Sequence, residues 1–504
     1  MKNRVLLRLI GLLCVVPMMV HADRGHCDRD CDQKLDALSK TLFRVGETAQ
    51  LVETSLGQYQ ESCCESCADI LRSTLRAPQC TCEATPITGS ISIDTSGSYC
   101  LAQDITGVII TDPGIQVVID LKGHTVNGSV ALSDHGYVHN GTITGGLTLG
   151  SYSRAELVKI GGLLRGVGSN SQNVFVGDSV FTYPEPTSFA VSDFVSLTLD
   201  HCTLALEGEL LPSIFNVQNV VNLMVRDSYV LGDLQIDVST FRLLETLSMY
   251  DSHITGKLSV HPESSLSALT VWDSAVNDFS LDLTTTLGSP AVMLHGLTST
   301  HIGFSAPEDQ RHLNTRILID ECNGGRFTFQ RVSNIRCQNT IAHASAEGIY
   351  TAFAPVHLES CQNGVFQDVM ATNTLLDIMS GDPGFYIANS KNILFKNCFS
   401  VAEMGTGYSI PFASTNINFD GCVAKGCWTG FWAQTGTSGS VINCIADGCG
   451  STGFSNADGA ATSIVYARNI ACFNVANYST PTAIAPYYDA NYTTTAGSWR
   501  NMNL

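Results

Sequence analysis

An all-β solenoid of stacked rungs, a parallel β-helix, is the fold this sequence predicts, and three observations carry it. Short segments of alternating apolar residues recur in one register: Leu197-Thr-Leu-Asp-His-Cys202, Leu223-Met-Val-Arg-Asp-Ser228, Leu247-Ser-Met-Tyr-Asp-Ser252 and Leu269-Thr-Val-Trp-Asp-Ser274. Their offsets are 26, 24 and 22 residues, the spacing of a repeat architecture in which each turn contributes one strand to a continuous stack. Only 14% of the residues are charged, and Gly, Ser, Thr, Asn and Asp abound between the apolar segments. That composition suits strands and tight turns better than helices with charged faces.

The chain opens with Lys2, Arg4 and Arg8, then an apolar stretch of twelve residues from Leu9 to Val20, then Val20-His21-Ala22. This is the layout of a secretory signal over residues 1–22, and the stretch is shorter than the roughly 20 residues that span a bilayer. The expectation is an exported protein without an integral membrane span, located at the cell surface, outside the cell or in a periplasm. Loss of the signal leaves 24 Lys+Arg against 46 Asp+Glu, a net charge of −22. Nucleic acid is excluded as a partner, because it demands clustered Lys and Arg.

Residues 23–85 form a Cys-rich segment of helical character. Leu35, Leu42, Ala49 and Leu56 alternate with Leu38, Val45, Val52 and Tyr59 in steps of four and three, the a and d positions of a coiled coil. Two arrangements fit. A continuous coiled coil over residues 31–63 would make the chain a homo-oligomer. A helical hairpin turning beside Gly46 would instead bring Cys27 to Cys67 and Cys31 to Cys63, which makes these four cysteines disulfide candidates.

Residues 86–478 are expected to be the β-helix, and 479–504 a short polar, Tyr-rich tail. The register recurs as Ile317-Leu-Ile-Asp-Glu-Cys322, Val356-His-Leu-Glu-Ser-Cys361, Ile393-Leu-Phe-Lys-Asn-Cys398 and Ile417-Asn-Phe-Asp-Gly-Cys422, with a shorter version ending at Asn443-Cys444. The fifth column, with Asp227, Asp251 and Asp273 in succession, could be taken for a carboxylate ladder. It also holds Asn, Gly and Ser, however, and these residues share a preference for turns and left-handed backbone, so a turn is expected there. The sixth column is always small (Cys202, Ser228, Ser252, Ser274, Cys322) and is expected to face inward at a bend. Cys422 with Cys444, and Cys427 with Cys449, are disulfide candidates by stacking; free buried thiols are the expectation for most of these positions.

The opening rung, Gly97-Ser-Tyr-Cys-Leu-Ala-Gln-Asp-Ile105 followed by Val117-Val-Ile-Asp-Leu-Lys-Gly-His-Thr-Val-Asn-Gly128, resembles the exported right-handed parallel β-helix repeat proteins of bacteria related to pectate lyases. The resemblance implies a right-handed coil over residues 90–475. It implies little about activity, since that scaffold hosts enzymes and adhesins alike. The Asn-Thr-Asp, Asp-Asp, Gly-His-Gly and Arg-Ile-Lys motifs of polygalacturonase-like enzymes are missing.

Three functions remain open: carbohydrate or host-surface binding in the manner of an adhesin, a polysaccharide lyase or glycoside hydrolase, and a structural exoprotein. The enzyme reading rests on the window 300–360, where Asp309, Arg311, His312, Asp320, Glu321 and Arg326 are the candidate catalytic residues, because sugar chemistry needs grouped carboxylates and bases. The binding reading rests on Tyr408, Trp428, Phe431 and Trp432, whose aromatic faces suit sugar rings as well as they suit a core. A polysaccharide or a host-surface glycan is the expected partner. No metal and no cofactor are expected.

Overall fold

The chain divides into two compact units, Met1–Cys80 and Thr81–Leu504. The computed structural model describes residues 84–479, apart from 170, 184–190, 207–213, 238–243, 262–265, 284–289, 308–314, 345–353, 374–381, 435 and 457–462, together with 502–503. The signal, the heptad segment and Cys27, Cys31, Cys63 and Cys67 lie outside the described residues.

Each rung closes by strand pairing with the rungs before and after it, and every pairing among the described residues is parallel. The pairings run as three continuous sheets. Sheet 1 contains the sequence repeats: Leu197 pairs with Leu223, then Leu247, Leu269, Val292, Ile317 and Ile335 in unbroken register. Sheet 2 follows after a sharp corner and sheet 3 after that, some strands, such as His253–His261, continuing from one to the other. Backbone hydrogen bonds therefore point along the stack, which satisfies the buried amides rung by rung.

The corner after sheet 1 is the turn that the fifth column suggests. His201, Asp227, Asp251, Asp273, Glu321, Asn397 and Asn443 all adopt φ between 45° and 56°. This left-handed conformation is one that Asp and Asn tolerate better than most residues. The next residue turns inward and is small because its neighbour one rung away sits so close: Ser228 Oγ accepts the Cys202 amide at 3.0 Å and donates to the Arg226 carbonyl at 2.7 Å. Ser252 and Ser274 repeat the pattern.

Val356–Cys361 does not belong to this register, contrary to the sequence alignment. Its strand lies in sheet 3, Val356 pairing with Phe327 and Phe385. The corner from sheet 3 to sheet 1 uses the same local chemistry, a left-handed Ser360 and then a small buried Cys361 whose amide is taken by Ser390 Oγ, so the two corners look alike in sequence. A further ladder marks the start of sheet 1, where Asn334, Asn363, Asn392 and Asn416 are left-handed and pass amide hydrogen bonds of 3.0–3.4 Å from rung to rung.

Core composition changes along the stack. In sheet 2 the inward column holds Ile143, Ile160, Phe181, Leu204 and Val230 in its first half and Ala342, Ala371, Ser400, Ala424 and Ala446 in its second. Where it shrinks, the other sheets grow. Phe385, Tyr408, Phe431, Phe454 and Tyr478 stack one per rung in sheet 3 with centroids 4.6–5.2 Å apart. Phe366, Phe395 and Phe419 stack in sheet 1. Large faces small, which keeps the density of a packed interior. Gly430 shows how tight the fit is, since a Cβ there would stand 2.9 Å from that of Ala446 and 2.4 Å from the Gly453 carbonyl oxygen.

Two sets of expectations are corrected by this core. Tyr408 and Phe431 are no ligand-binding residues: both are buried, 1% and 2% exposed, because alternation turns them inward. Cys422, Cys444, Cys427 and Cys449 form no disulfides and are free buried thiols. Their sulfurs lie instead against backbone carbonyls, Cys422 Sγ 3.4 Å from Phe395 O and Cys444 Sγ 3.2 Å from Ile442 O, behaving as small hydrophobes with a weak donor. Cys100, in the opening rung, is disulfide-bonded. Among the described residues no helix is long and apolar enough to cross a membrane.

Candidate functional site

Outward positions of sheet 3 collect the polar chemistry that the window 300–360 only hinted at. Thr328, His357 and Tyr386 stand side by side on successive rungs, and Ser409 and Trp432 continue the same column. Strand stacking spaces them at about 4.8 Å. Although they point away from the core, Thr328, His357 and Ser409 are under a tenth exposed. Outward Met224, Met293 and Val365 of sheet 1 are more than a third exposed by comparison. The strip is therefore recessed relative to the outward face of sheet 1.

His357 is its centre. Its ring packs on Tyr386 with centroids 4.7 Å apart, and Nε2 lies 3.7 Å from Glu359 Oε2. Burial pushes its pKa below the ordinary histidine value and the nearby Arg326 guanidinium pushes it further, against the pull of Glu359. The imidazole is thus held neutral near pH 7. Burial raises the Tyr386 phenol, with Glu359 adding to the effect. Arg326 is itself half-buried, and Asp382 opposes the lowering that burial imposes on it. On the neighbouring rungs His301 is held between Asp278 Oδ1, 3.0 Å from Nδ1, and Thr328 Oγ1, 3.2 Å from Nε2. A neutral imidazole, a phenol, a guanidinium and carboxylates thus share one recessed strip, enough to bind hydroxyls and carboxylates and to move a proton.

The sequence candidates are divided by the structure. Arg326 and Trp432 belong to the strip. Asp320 and Glu321 do not: they sit at the corner of sheets 1 and 2 around His295, whose Nδ1 is 3.5 Å from Asp320 Oδ2 and whose Nε2 is 3.9 Å from Glu321 Oε2. Trp428 is exposed, away from the strip, over Gly450. Asp309, Arg311 and His312 lie outside the described residues. Sequence reasoning missed His301, His357 and Tyr386. The signal was there in principle, because His357 and Tyr386 are 29 residues apart and follow the inward pair Val356 and Phe385.

No protein-family model matches this sequence, and no curated protein matches it. Among solved structures, the A-module of the mannuronan C-5 epimerase AlgE4 of Azotobacter vinelandii is similar. The two share 12% identity over 75% of this chain and 90% of that one, with a TM-score of 0.27.

One further cluster has the residue types of a metal centre. Asp200, His201 and Asp227 bring one ligand atom each within 4.8 Å of one another. Both Asp200 oxygens are taken by Arg226, Nε to Oδ1 at 2.9 Å and Nη2 to Oδ2 at 2.6 Å, and His201 Nδ1 lies 3.0 Å from Oδ1. A fixed guanidinium in the cluster repels a second cation. The arrangement is an ion-pair network that holds Asp200 below the usual carboxylate range, chiefly through the Arg226 hydrogen bonds.

Proposed function

We propose that this protein binds a polysaccharide along the recessed strip of sheet 3, the polymer lying parallel to the stack of rungs, and that it does so outside the cell. The observation that carries the reading is the register of Thr328, His357, Tyr386, Ser409 and Trp432, one hydrogen-bonding or aromatic side chain per rung. A linear polymer meets such a column with many equivalent contacts, aromatic faces against sugar rings and polar tips against hydroxyls. The signal-like residues 1–22 support the extracellular setting, and a surface-exposed, adhesin-like role accords with it. Retention of the full chain on a panel of neutral and acidic polysaccharides tests the reading. Retention should be lost in Tyr386→Ala and Trp432→Ala and kept in Trp428→Ala; failure of every polysaccharide to retain the folded protein refutes it.

A second reading is favoured by the neutral state of His357 beside Tyr386 and Arg326. On a carboxylate-bearing sugar, a neutral imidazole could accept a proton while the guanidinium holds the carboxylate. Release of unsaturated or altered products that vanishes in His357→Gln, with retention kept, would make the protein a polysaccharide-modifying enzyme.

A further inference from the structure

On a different face, the outward columns of sheet 1 next to the first corner carry an aromatic patch that the polysaccharide reading does not use. Arg226, Tyr250, Trp272 and His295 are in register on four successive rungs. Trp272 is 38% exposed, and its ring leans on His295 with centroids 4.2 Å apart. Met224 and Met293, 39% and 38% exposed, flank it one column away. Exposed Trp272, Met224 and Met293 beside a half-buried Tyr250 have the composition of a protein interface core rather than of ordinary surface.

The rim of the patch is acidic. Asp251 and Asp273 stand on adjacent rungs at the corner, exposed, without a side-chain hydrogen bond or ion pair among the described residues, and Glu321 follows two rungs further on. On the four rungs from Arg226 to His295, Arg226 is the one lysine or arginine in these two columns, and it is committed to Asp200. Aromatic faces bordered by unmatched carboxylates have a definite complement. An arginine guanidinium stacks flat on an indole and pairs with a carboxylate in the same pose, which a lysine ammonium does less well.

We infer that this corner is a docking surface for a protein partner that presents arginine side chains, seated on Trp272 and paired with Asp251 and Asp273. A second copy of this chain is disfavoured as occupant of the same patch, because a two-fold contact would set acidic rim against acidic rim.

The test uses the full chain and a peptide of alternating arginine and glycine, with its lysine counterpart as comparison, in calorimetric or surface-based titration. The arginine peptide should bind several-fold tighter than the lysine peptide. Trp272→Ser should weaken it about tenfold, while Trp272→Phe keeps most of the affinity. Asp251→Asn with Asp273→Asn should weaken it and flatten its salt dependence, and His357→Gln should leave it unchanged. Equal binding of the two peptides, or an unaltered affinity in Trp272→Ser with an unaltered melting temperature, overturns the inference and leaves general acidity as the cause. Competition by a neutral oligosaccharide, loss in His357→Gln, or self-association abolished by Trp272→Ser would overturn it in favour of a glycan, of the sheet 3 strip or of a second copy. The inference is independent of the polysaccharide reading, which can fail while the arginine peptide still binds.

Discussion

Truncating Phe431 to alanine separates a core role from a ligand role at that position. Its ring is 2% exposed and stacks at 4.6 Å on Tyr408 and 5.0 Å on Phe454, with Phe419 edge-on at 5.7 Å. Phe→Ala in a packed interior costs about 3–5 kcal/mol, and each lost aromatic pair adds about 0.5–1.5 kcal/mol beyond area. The neighbouring rungs have little room to close the gap, since at Gly407 and Gly430 even an added β-carbon would stand within 2.9 Å of the next rung's carbonyl oxygen and of a sheet 2 alanine. The expected loss is therefore near the top of that range, about 5 kcal/mol. Because a solenoid rung is stabilised only by its neighbours, the damage should stay local. Urea denaturation combined with hydrogen exchange should show lost amide protection across 385–479 and native protection in the rungs before residue 260. A loss below about 1 kcal/mol, or a uniform loss of protection from end to end, would refute the stacking argument.

His357 should make stability depend on pH in a definite direction. Its folded pKa lies below the unfolded value of about 6.5, so both states are neutral above that pH and stability is at its full level. As pH falls below it, the unfolded chain takes up a proton that the folded one resists, and stability declines until the folded pKa is passed. Denaturation midpoints of wild type and His357→Gln between pH 7.5 and 5 should diverge in that sense; parallel curves would contradict the burial argument. Asn392→Ala should cost about 1–2 kcal/mol, since it breaks two links of the amide ladder and leaves alanine at φ 57°, a left-handed conformation that asparagine tolerates better; denaturant midpoints measure it, and a neutral result would mean the ladder is ornamental. Burial pushes the Cys202, Cys361 and Cys449 thiols up to about 12 and those of Cys322 and Cys427 to about 11. In native protein they should resist an alkylating reagent that reaches the partly exposed Cys472, as peptide mass mapping before and after unfolding would reveal.

How far the sequence was legible depended on distance along the chain. The strand register of Leu197, Leu223, Leu247 and Leu269 and the left-handed corner at Asp227, Asp251 and Asp273 are local patterns, and both are found in the structure as read. Val356–Cys361 reads in sequence like a sheet 1 strand because two different corners need the same succession of a left-handed residue and a small inward one. Tyr408 and Phe431 read as sugar platforms in the sequence because an aromatic residue carries no mark of the face it occupies; only the register with Phe385 and Phe454 tells that they point inward. His301, Arg326, His357 and Tyr386 were separable only by rung pairing across gaps of 25 to 31 residues, which composition and spacing do not encode when rung length varies.

The coupled change in core composition sets a limit on how such a chain can lengthen or be re-engineered. A rung from the Leu204 and Val230 region carries a bulky sheet 2 residue, whereas a rung from the Ala424 and Ala446 region carries its bulk in sheet 3. Duplicating a turn beside its own kind would preserve the fit. Transplanting one from the first half into the second would set branched aliphatic chains against phenyl rings. The rungs are modules, but of two grades, and a graft across the boundary must replace residues on at least two sheets together.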